Sequence, residues 1–398
     1  IIALLQLLTT IVQRSNVAAR ELLKDFNFNF RPLASLINMR RKKVTLHRTF
    51  ENAARGTKQL WQRDIRTYYV RWVLSFLSYP DEPDICIQTV QTPRLLPSIF
   101  ATFSSDPPTL MMEVLEKVRV SVLENRFIPR KAKVSFFSKY FLDTVTNVMN
   151  RTNPHAYDDI SATAEQPLQD AFYKLTYDIC FSHSDGLAFP DPDWNSERNP
   201  ETPSKNGSLQ KLMAQLKPNQ KPLHRFLFFD LIKSLPDLFY PYARQITITF
   251  EPRLSLYWFH NISFLSDLHR FTPIPTFPSS KLLPPADPAF YLHHVLIPVI
   301  SSTHLNQAIL HKSQLVQLQA VSFMILFLEK ISTTVASVRS HYQTLSSEVS
   351  NKWEDFIDTI LRKVIKALPN IATVITSYNN LIASALPFLD HSLRPGDQ

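Results

Sequence analysis

The stretch DPPTLMMEVLEKVRVSVLENRFIPRKAKVSFFSKYFLDTVTNVM, residues 106–149, carries the pattern on which the fold turns. Asp106-Pro107 opens its first half and Ile128-Pro129 its second. Each sets a proline near the first turn of a helix, where the missing N–H removes no hydrogen bond. Behind the first proline, Met111, Val114, Leu115, Val118 and Val122 fall on one helical face. Behind the second, Val134, Phe137, Phe141, Val145 and Val148 do the same. Thr92-Pro93 starts another helix just upstream by the same device. Consecutive helices joined by short turns are the local pattern of an α-solenoid.

Working toward the N-terminus, Asp64 caps a strong amphipathic helix with Ile65, Tyr69, Trp72, Val73, Phe76 and Leu77 inward, closed by Pro80. Arg66 falls at the edge of that apolar face, where a partly buried arginine ties neighbouring helices through a carboxylate or carbonyls. The stretch 40–58 has little periodicity and reads as a basic loop. Residues 1–14 form a helical face, Ser15 is the N-cap of a second helix, and Pro32 opens a third through Ile37.

Toward the C-terminus, a helix runs from Pro167 to Phe181 with Phe172, Leu175, Tyr177 and Ile179 apolar. Residues 182–220 lose periodicity, apart from a turn or two of exposed helix at Leu209–Leu216. Helices return at Pro222–Leu235 and at Pro252–Arg270, where Leu254, Tyr257, Trp258, Phe264, Leu265 and Leu268 align. Ile246–Phe250 is the one credible strand signal. The proline-rich stretch 271–288 predicts an extended connector. Leu315–Ile331 is apolar nearly all round and predicts a central buried helix. Ser347–Leu368 is amphipathic, with Trp353, Phe356, Ile357, Ile360, Leu361, Val364, Ile365 and Leu368 on one face, and Ile371–Leu386 adds one more helix. The expected architecture is an all-α, irregular armadillo/HEAT-like α-solenoid of about thirteen helices with a long central loop insertion. Its expected segments are 1–182, helical repeats with the basic loop 40–58; 183–221, the irregular insertion; and 222–398, helical repeats of the same domain.

Composition excludes several functions. Only four glycines occur in 398 residues: Gly56, Gly186, Gly207 and Gly396. A Rossmann fingerprint, a P-loop and a nucleophile elbow all need glycines close together, so none is present. Prolines number 29 and supply the joints instead. Gly186, in the central loop, is a position expected to need φ > 0. Cys86 and Cys180 are too few for a disulfide scaffold and fit a reducing compartment. The longest apolar run, Ala320–Leu328, falls far short of the ~20 residues of a membrane helix. The chain opens on Ile1, inside an apolar pattern, as an excerpt of a longer protein would.

Chemistry-bearing constellations are weak. His293-His294 are adjacent and point about 100° apart on a helix, with no partner at i+4. Cys180 and His183 have zinc-like spacing without a second pair of ligands, and Asp185, Asp191 and Asp193 do not fit an EF-hand loop. Cys86 sits between apolar Ile85 and Ile87 and reads as packing. The expectation is a protein that is not an enzyme, with no cofactor, metal, small-molecule substrate or membrane.

Charge is the feature that does point to a partner. Residues 1–75 carry a net charge of +10 and the remainder −1, within a total of +9. The excess centres on Arg40-Arg41-Lys42-Lys43, followed by Arg48, Arg55 and Lys58. A regional field of this kind attracts polyanions, and these seven residues are the candidate RNA-binding set. A solvated loop or a nuclear-localisation tetrad gives the same run.

The residues also resemble a known family. The helix Arg63-Asp64-Ile65-Arg66-Thr67-Tyr68-Tyr69-Val70-Arg71-Trp72-Val73-Leu74-Ser75-Phe76-Leu77 resembles the Asp-x-Arg…Phe-x-Leu-Ser-Phe-Leu helix of the nucleolar pre-ribosomal-associated protein 1 family, in its N-terminal domain. The segment Leu22–Ile37, the helix pair Asp106–Phe137, the glycine-bearing loop Ser184–Trp194 and the run Leu305–His311 into Leu315–Phe327 are similar to its further segments, in the same order. The resemblance covers roughly residues 20–340 and leaves 347–398 unmatched. It implies a giant α-solenoid of the nucleolus, acting in early precursors of the large ribosomal subunit, in rRNA processing and maturation of large-subunit and 5.8S rRNA. The implied partners are pre-ribosomal RNA, small nucleolar ribonucleoproteins and other assembly factors. No catalytic residue comes with the family.

Overall fold

The structure is a computed structural model that describes residues 1–28, 30–38, 65–151, 159–191, 205–274, 283–285, 288–343 and 347–380. Regular structure among the described residues is entirely helical. The chain divides into two compact units, Ile1–Phe189 with Asn206–Gln215, and Pro190–Lys205 with Leu216–Gln398.

The first unit contains α1 (Ile2–Arg14), α2 (Asn16–Asp25), α3 (Arg31–Asn38), α4 (Ile65–Ser75), α5 (Pro83–Gln91), α6 (Leu96–Phe100), α7 (Pro108–Val118), α8 (Arg130–Phe136), α9 (Leu142–Met149), α10 (Asp159–Phe181) and α11 (Gly207–Gln215). Ser15 breaks the first two helices apart by capping α2, its hydroxyl accepting from the Ala18 N–H at 3.2 Å. Both α1 and α3 lie against α4, α2 against α5, and α7 against α10. Trp72 on α4 is wholly buried and gathers the rings of Phe26, Phe28, Tyr69 and Phe76 within about 6 Å.

A second aromatic cluster owes its shape to a widened turn. Between α8 and α9 the helix passes through a π-helical turn, Phe137–Phe141, which adds a residue to one turn. Phe136, Phe137 and Phe141 all become buried, and the rings of Phe136 and Phe141 lie 5.6 Å and 5.7 Å from Phe100. A uniform 3.6-residue wheel puts Val134 inward instead; in the structure Val134 is only half-buried. Another π turn, Arg119–Leu123, closes α7.

The second unit contains α12 (Pro222–Ser234), α13 (Phe239–Gln245), α14 (Leu256–Phe271), α15 (Ala289–Val295), α16 (Ser302–Ile309), α17 (Gln314–Tyr342) and α18 (Ser347–Ala367). Both α14 and α16 pack on α17. Trp353, Phe356, Ile357, Ile360 and Val364 of α18 join Tyr291, Phe327, Ile331 and Val338 in one apolar cluster. A last helical stretch covers 371–380.

Several expectations are corrected. The helices are more numerous than thirteen, because short proline-bounded pieces such as α6 and α15 stand as separate elements. Ile246–Phe250 forms no strand: its Thr249 and Phe250 carbonyls accept from Asn261 and Trp258 of α14, so side chains replace a β partner. Thr92-Pro93 does not start a helix; α6 begins at Leu96-Pro97. Pro167 lies inside α10 rather than at its start. Leu209, Leu212 and Met213 of α11 are buried in the first unit, not exposed. Leu254 and Tyr257 are exposed, as is Ile365.

The long helix α17 departs furthest. Val316, Ala320, Phe323, Phe327 and Ile331 are buried, whereas Leu315, Leu318, Ile325 and Leu328 are between 44% and 64% exposed. Only one face is core. With 29 residues it is also long and apolar enough, by length and composition, to cross a membrane, which counting uninterrupted apolar residues did not register.

Candidate nucleic-acid interface

Arg40, Arg41, Lys42, Lys43, Arg48, Arg55 and Lys58 lie outside the described residues, as does the Asp64 cap. The two points where the fold meets that segment are well defined. Arg66, in the first turn of α4, is 2% exposed and bonds to three other segments. Its Nε and one terminal nitrogen donate to the two carboxylate oxygens of Asp106, both at 2.5 Å. The same terminal nitrogen donates to the Ile99 carbonyl at the end of α6, and the other to the Ile37 carbonyl of α3, each at 3.0 Å. This is a fork-on-fork pair completed by carbonyls, the arrangement that satisfies a buried guanidinium. Ile37 and Arg66 flank the basic segment, so one side chain holds its two ends together.

Asp106 was legible only as the start of a helix. Its carboxylate in fact faces Arg66, and its carbonyl accepts from Arg151 at 3.1 Å.

The glycine-bearing loop is held from α8. Arg130 donates to the Ala188 carbonyl at 2.7 Å and to the Gly186 carbonyl at 3.4 Å, and its guanidinium lies 4.1 Å from the centre of the Phe189 ring. Lys133, 1% exposed, donates to the Leu123 carbonyl at 2.8 Å and to Asp185 at 2.5 Å. Burial raises the Asp185 pKa, but bonds from Lys133 and Ser184 outweigh it and hold the carboxyl below its ordinary range. Asn206 closes the loop, pairing with the N–H and carbonyl of Phe189, each at 3.0 Å.

Gly186 is needed for space and not for φ. The backbone is outside the left-handed region; an added Cβ would collide with the Ile179 carbonyl oxygen and stand 2.7 Å from that of Ser182. The loop crosses the end of α10 closely enough for the Leu187 N–H to reach the Ile179 carbonyl at 2.8 Å.

The turn between α7 and α8 presents a ring to solvent. Asn125 is buried; its amide donates to the Pro80 carbonyl at 2.9 Å and its oxygen accepts from the Phe127 N–H at 2.8 Å. Ile128 is 2% exposed. Phe127, fixed between these two anchors, is 54% exposed. Arg126 and Lys131 beside it are exposed, and among the described residues neither has an ion-pair partner. Ile128-Pro129 marked the turn in sequence but nothing marked the ring, because an exposed phenylalanine looks like a core residue until its neighbours are placed.

The chemistry of the remaining candidates is inert. Burial lifts the Cys180 thiol to about 12, and burial with Asp81 and Glu82 lifts that of Cys86 to about 11. Neither forms a thiolate nucleophile near neutrality. His294 packs against Phe239 and His293 against Tyr240, at 5.0 Å and 5.4 Å between rings. No cluster of three metal-ligating side chains exists among the described residues.

The described residues define an all-helical protein in which buried ions clamp loops, and in which the excess positive charge of the sequence sits in one segment. The chain is a member of the family described as Npa1, the ribosome 60S biogenesis N-terminal family, which matches residues 1–261. It is similar to nucleolar pre-ribosomal-associated protein 1 of Homo sapiens, 24% identical over 397 residues, which are 95% of this chain and 16% of the relative. The protein of the same name from Mus musculus is 24% identical over 389 residues, 94% of this chain and 16% of the relative. The chain thus spans about a sixth of the length of these relatives. No solved structure matches it.

Proposed function

We propose that the chain is part of a nucleolar, non-catalytic scaffold that acts in assembly of the large ribosomal subunit and the processing of its RNA. Membership of the 60S biogenesis family over residues 1–261 is the observation that carries this reading. Its helices stack as an irregular armadillo/HEAT-like solenoid. Arg40, Arg41, Lys42, Lys43, Arg48, Arg55 and Lys58 contact phosphates of pre-ribosomal RNA, and other assembly factors and small nucleolar ribonucleoproteins occupy the helical surfaces. The net charge of +10 on residues 1–75 supports the RNA contact, since phosphate neutralisation dominates affinity for nucleic acids. The test is RNA affinity against salt for the chain with Arg40, Arg41, Lys42 and Lys43 all changed to Ala. The log–log slope is expected to fall by about 2–3 units, at ~0.7 per phosphate on single strands. An unchanged slope removes the RNA role of this run.

A protein-only adaptor is the second reading, favoured by the exposed aliphatic face of α17. Tight binding to an assembly factor, together with RNA affinity no greater than that of any basic protein, would select it.

A further inference from the structure

We propose that Phe127, flanked by Arg126 and Lys131, is a stacking site for a base of single-stranded RNA, separate from the basic segment that follows α3. The proposal rests on the RNA-binding reading above and adds a place and a mode of contact to it. Three observations carry it. Phe127 is 54% exposed although its neighbours Asn125 and Ile128 are buried, so the ring projects to solvent from an anchored stretch of backbone. The Asn125 amide fixes the turn from both sides, reaching the Pro80 carbonyl and the Phe127 N–H at 2.9 Å and 2.8 Å. Arg126 is exposed on the same turn and Lys131 at the start of α8, while Glu124 is engaged by Arg119 at 2.5 Å and Arg130 by the loop at Ala188.

An exposed aromatic ring with an exposed cation before it and another after it in sequence matches the repeating unit of a single strand, a flat base alternating with a negative phosphate. A paired duplex does not present a base face to such a ring. The turn belongs to the unit that carries the positive excess, which favours a polyanion over an acidic peptide.

The experiment measures binding of a labelled oligouridine to the full 398-residue chain by fluorescence anisotropy, across a salt series. Phe127→Ala is expected to weaken binding about tenfold without changing the salt slope, as loss of one base stack does. Phe127→Trp is expected to retain or tighten binding. Arg126→Ala with Lys131→Ala is expected to flatten the slope by about 1.4 units, at ~0.7 per phosphate. Because the ring is exposed, Phe127→Ala is expected to melt with the wild type, and this melting control separates a binding loss from unfolding. Affinity unchanged by Phe127→Ala, or lowered equally for single- and double-stranded RNA, overturns the proposal. In that event the scaffold reading stands if the Arg40–Lys43 variant still binds more weakly. A wild-type chain that does not bind the oligouridine overturns both.

Discussion

Arg66 and Asp106 share a buried contact in which neither charge has water to fall back on, each side chain being 2% exposed. Removing one partner leaves the other as an unpaired charge in an apolar interior, a loss of about 3–5 kcal/mol. Asp106→Ala is therefore expected to lower the stability of the first unit by that amount in urea unfolding. Replacing both with apolar residues, Arg66→Met with Asp106→Leu, is expected to cost less than the single change, because no ion is then stranded. A double variant as unstable as the single one would show that the Ile37 and Ile99 carbonyls need Arg66 more than Asp106 does. The arginine was legible in sequence from its place at the edge of an apolar face. Its partner was not, because a carboxylate preceding Pro107 reads as a helix start whether or not it also meets a cation 40 residues away.

At the level of elements, α14 and α17 enclose two basic groups together. His269 is held by the Leu265 and Val295 carbonyls at 2.9 Å and 3.2 Å, with Phe323 and Phe327 edge-on to its ring. Burial presses its pKa down to about 4, against the weaker pull of the two carbonyls. Lys330, bonded to the Thr272 carbonyl, is pushed down by burial to about 8. Burial disfavours the charged form of both groups, so between each folded value and the ordinary one the unfolded chain binds more protons. Stability is then lost as pH falls from about 6.5 to 4 through His269, on the order of 3 kcal/mol. The expected outcome is a urea midpoint for the second unit that declines over this range, with a shallower decline in His269→Gln. Equal slopes in the two proteins would mean that surface carboxylates dominate. Periodicity identified α17 and most of its buried face, but hydropathy cannot tell which side of an all-round apolar helix meets a neighbour. The π turn at Phe137–Phe141 was equally hidden, since a wheel of fixed pitch assigns Val134 the place that Phe136 takes.

For the whole molecule, the all-helical class followed from prolines at helix starts and from the shortage of glycine, both of which survive any error in individual boundaries. The packing of α11 onto the first unit did not, because its partners lie far away in sequence and only folding brings them together. The positive excess was visible as a count, while its attachment to the fold was not. That attachment has a covalent corollary. Residues 39–64 leave α3 and return at α4, where Arg66 grips Ile37, and α1, α2 and α3 are seated on α4 and α5 independently of the chain that joins them. The peptide link across this segment is therefore expected to be dispensable for holding the first three helices in place. Co-expressed fragments 1–50 and 51–398 are expected to assemble and co-elute as one species on gel filtration, and Arg66→Ala in the larger fragment is expected to release the smaller one. Separate elution of the unaltered fragments would show that continuity of the chain is required. If the two fragments do assemble, the molecule is one chain by synthesis and two by assembly, divisible at its most basic segment without loss of the helical body that carries it.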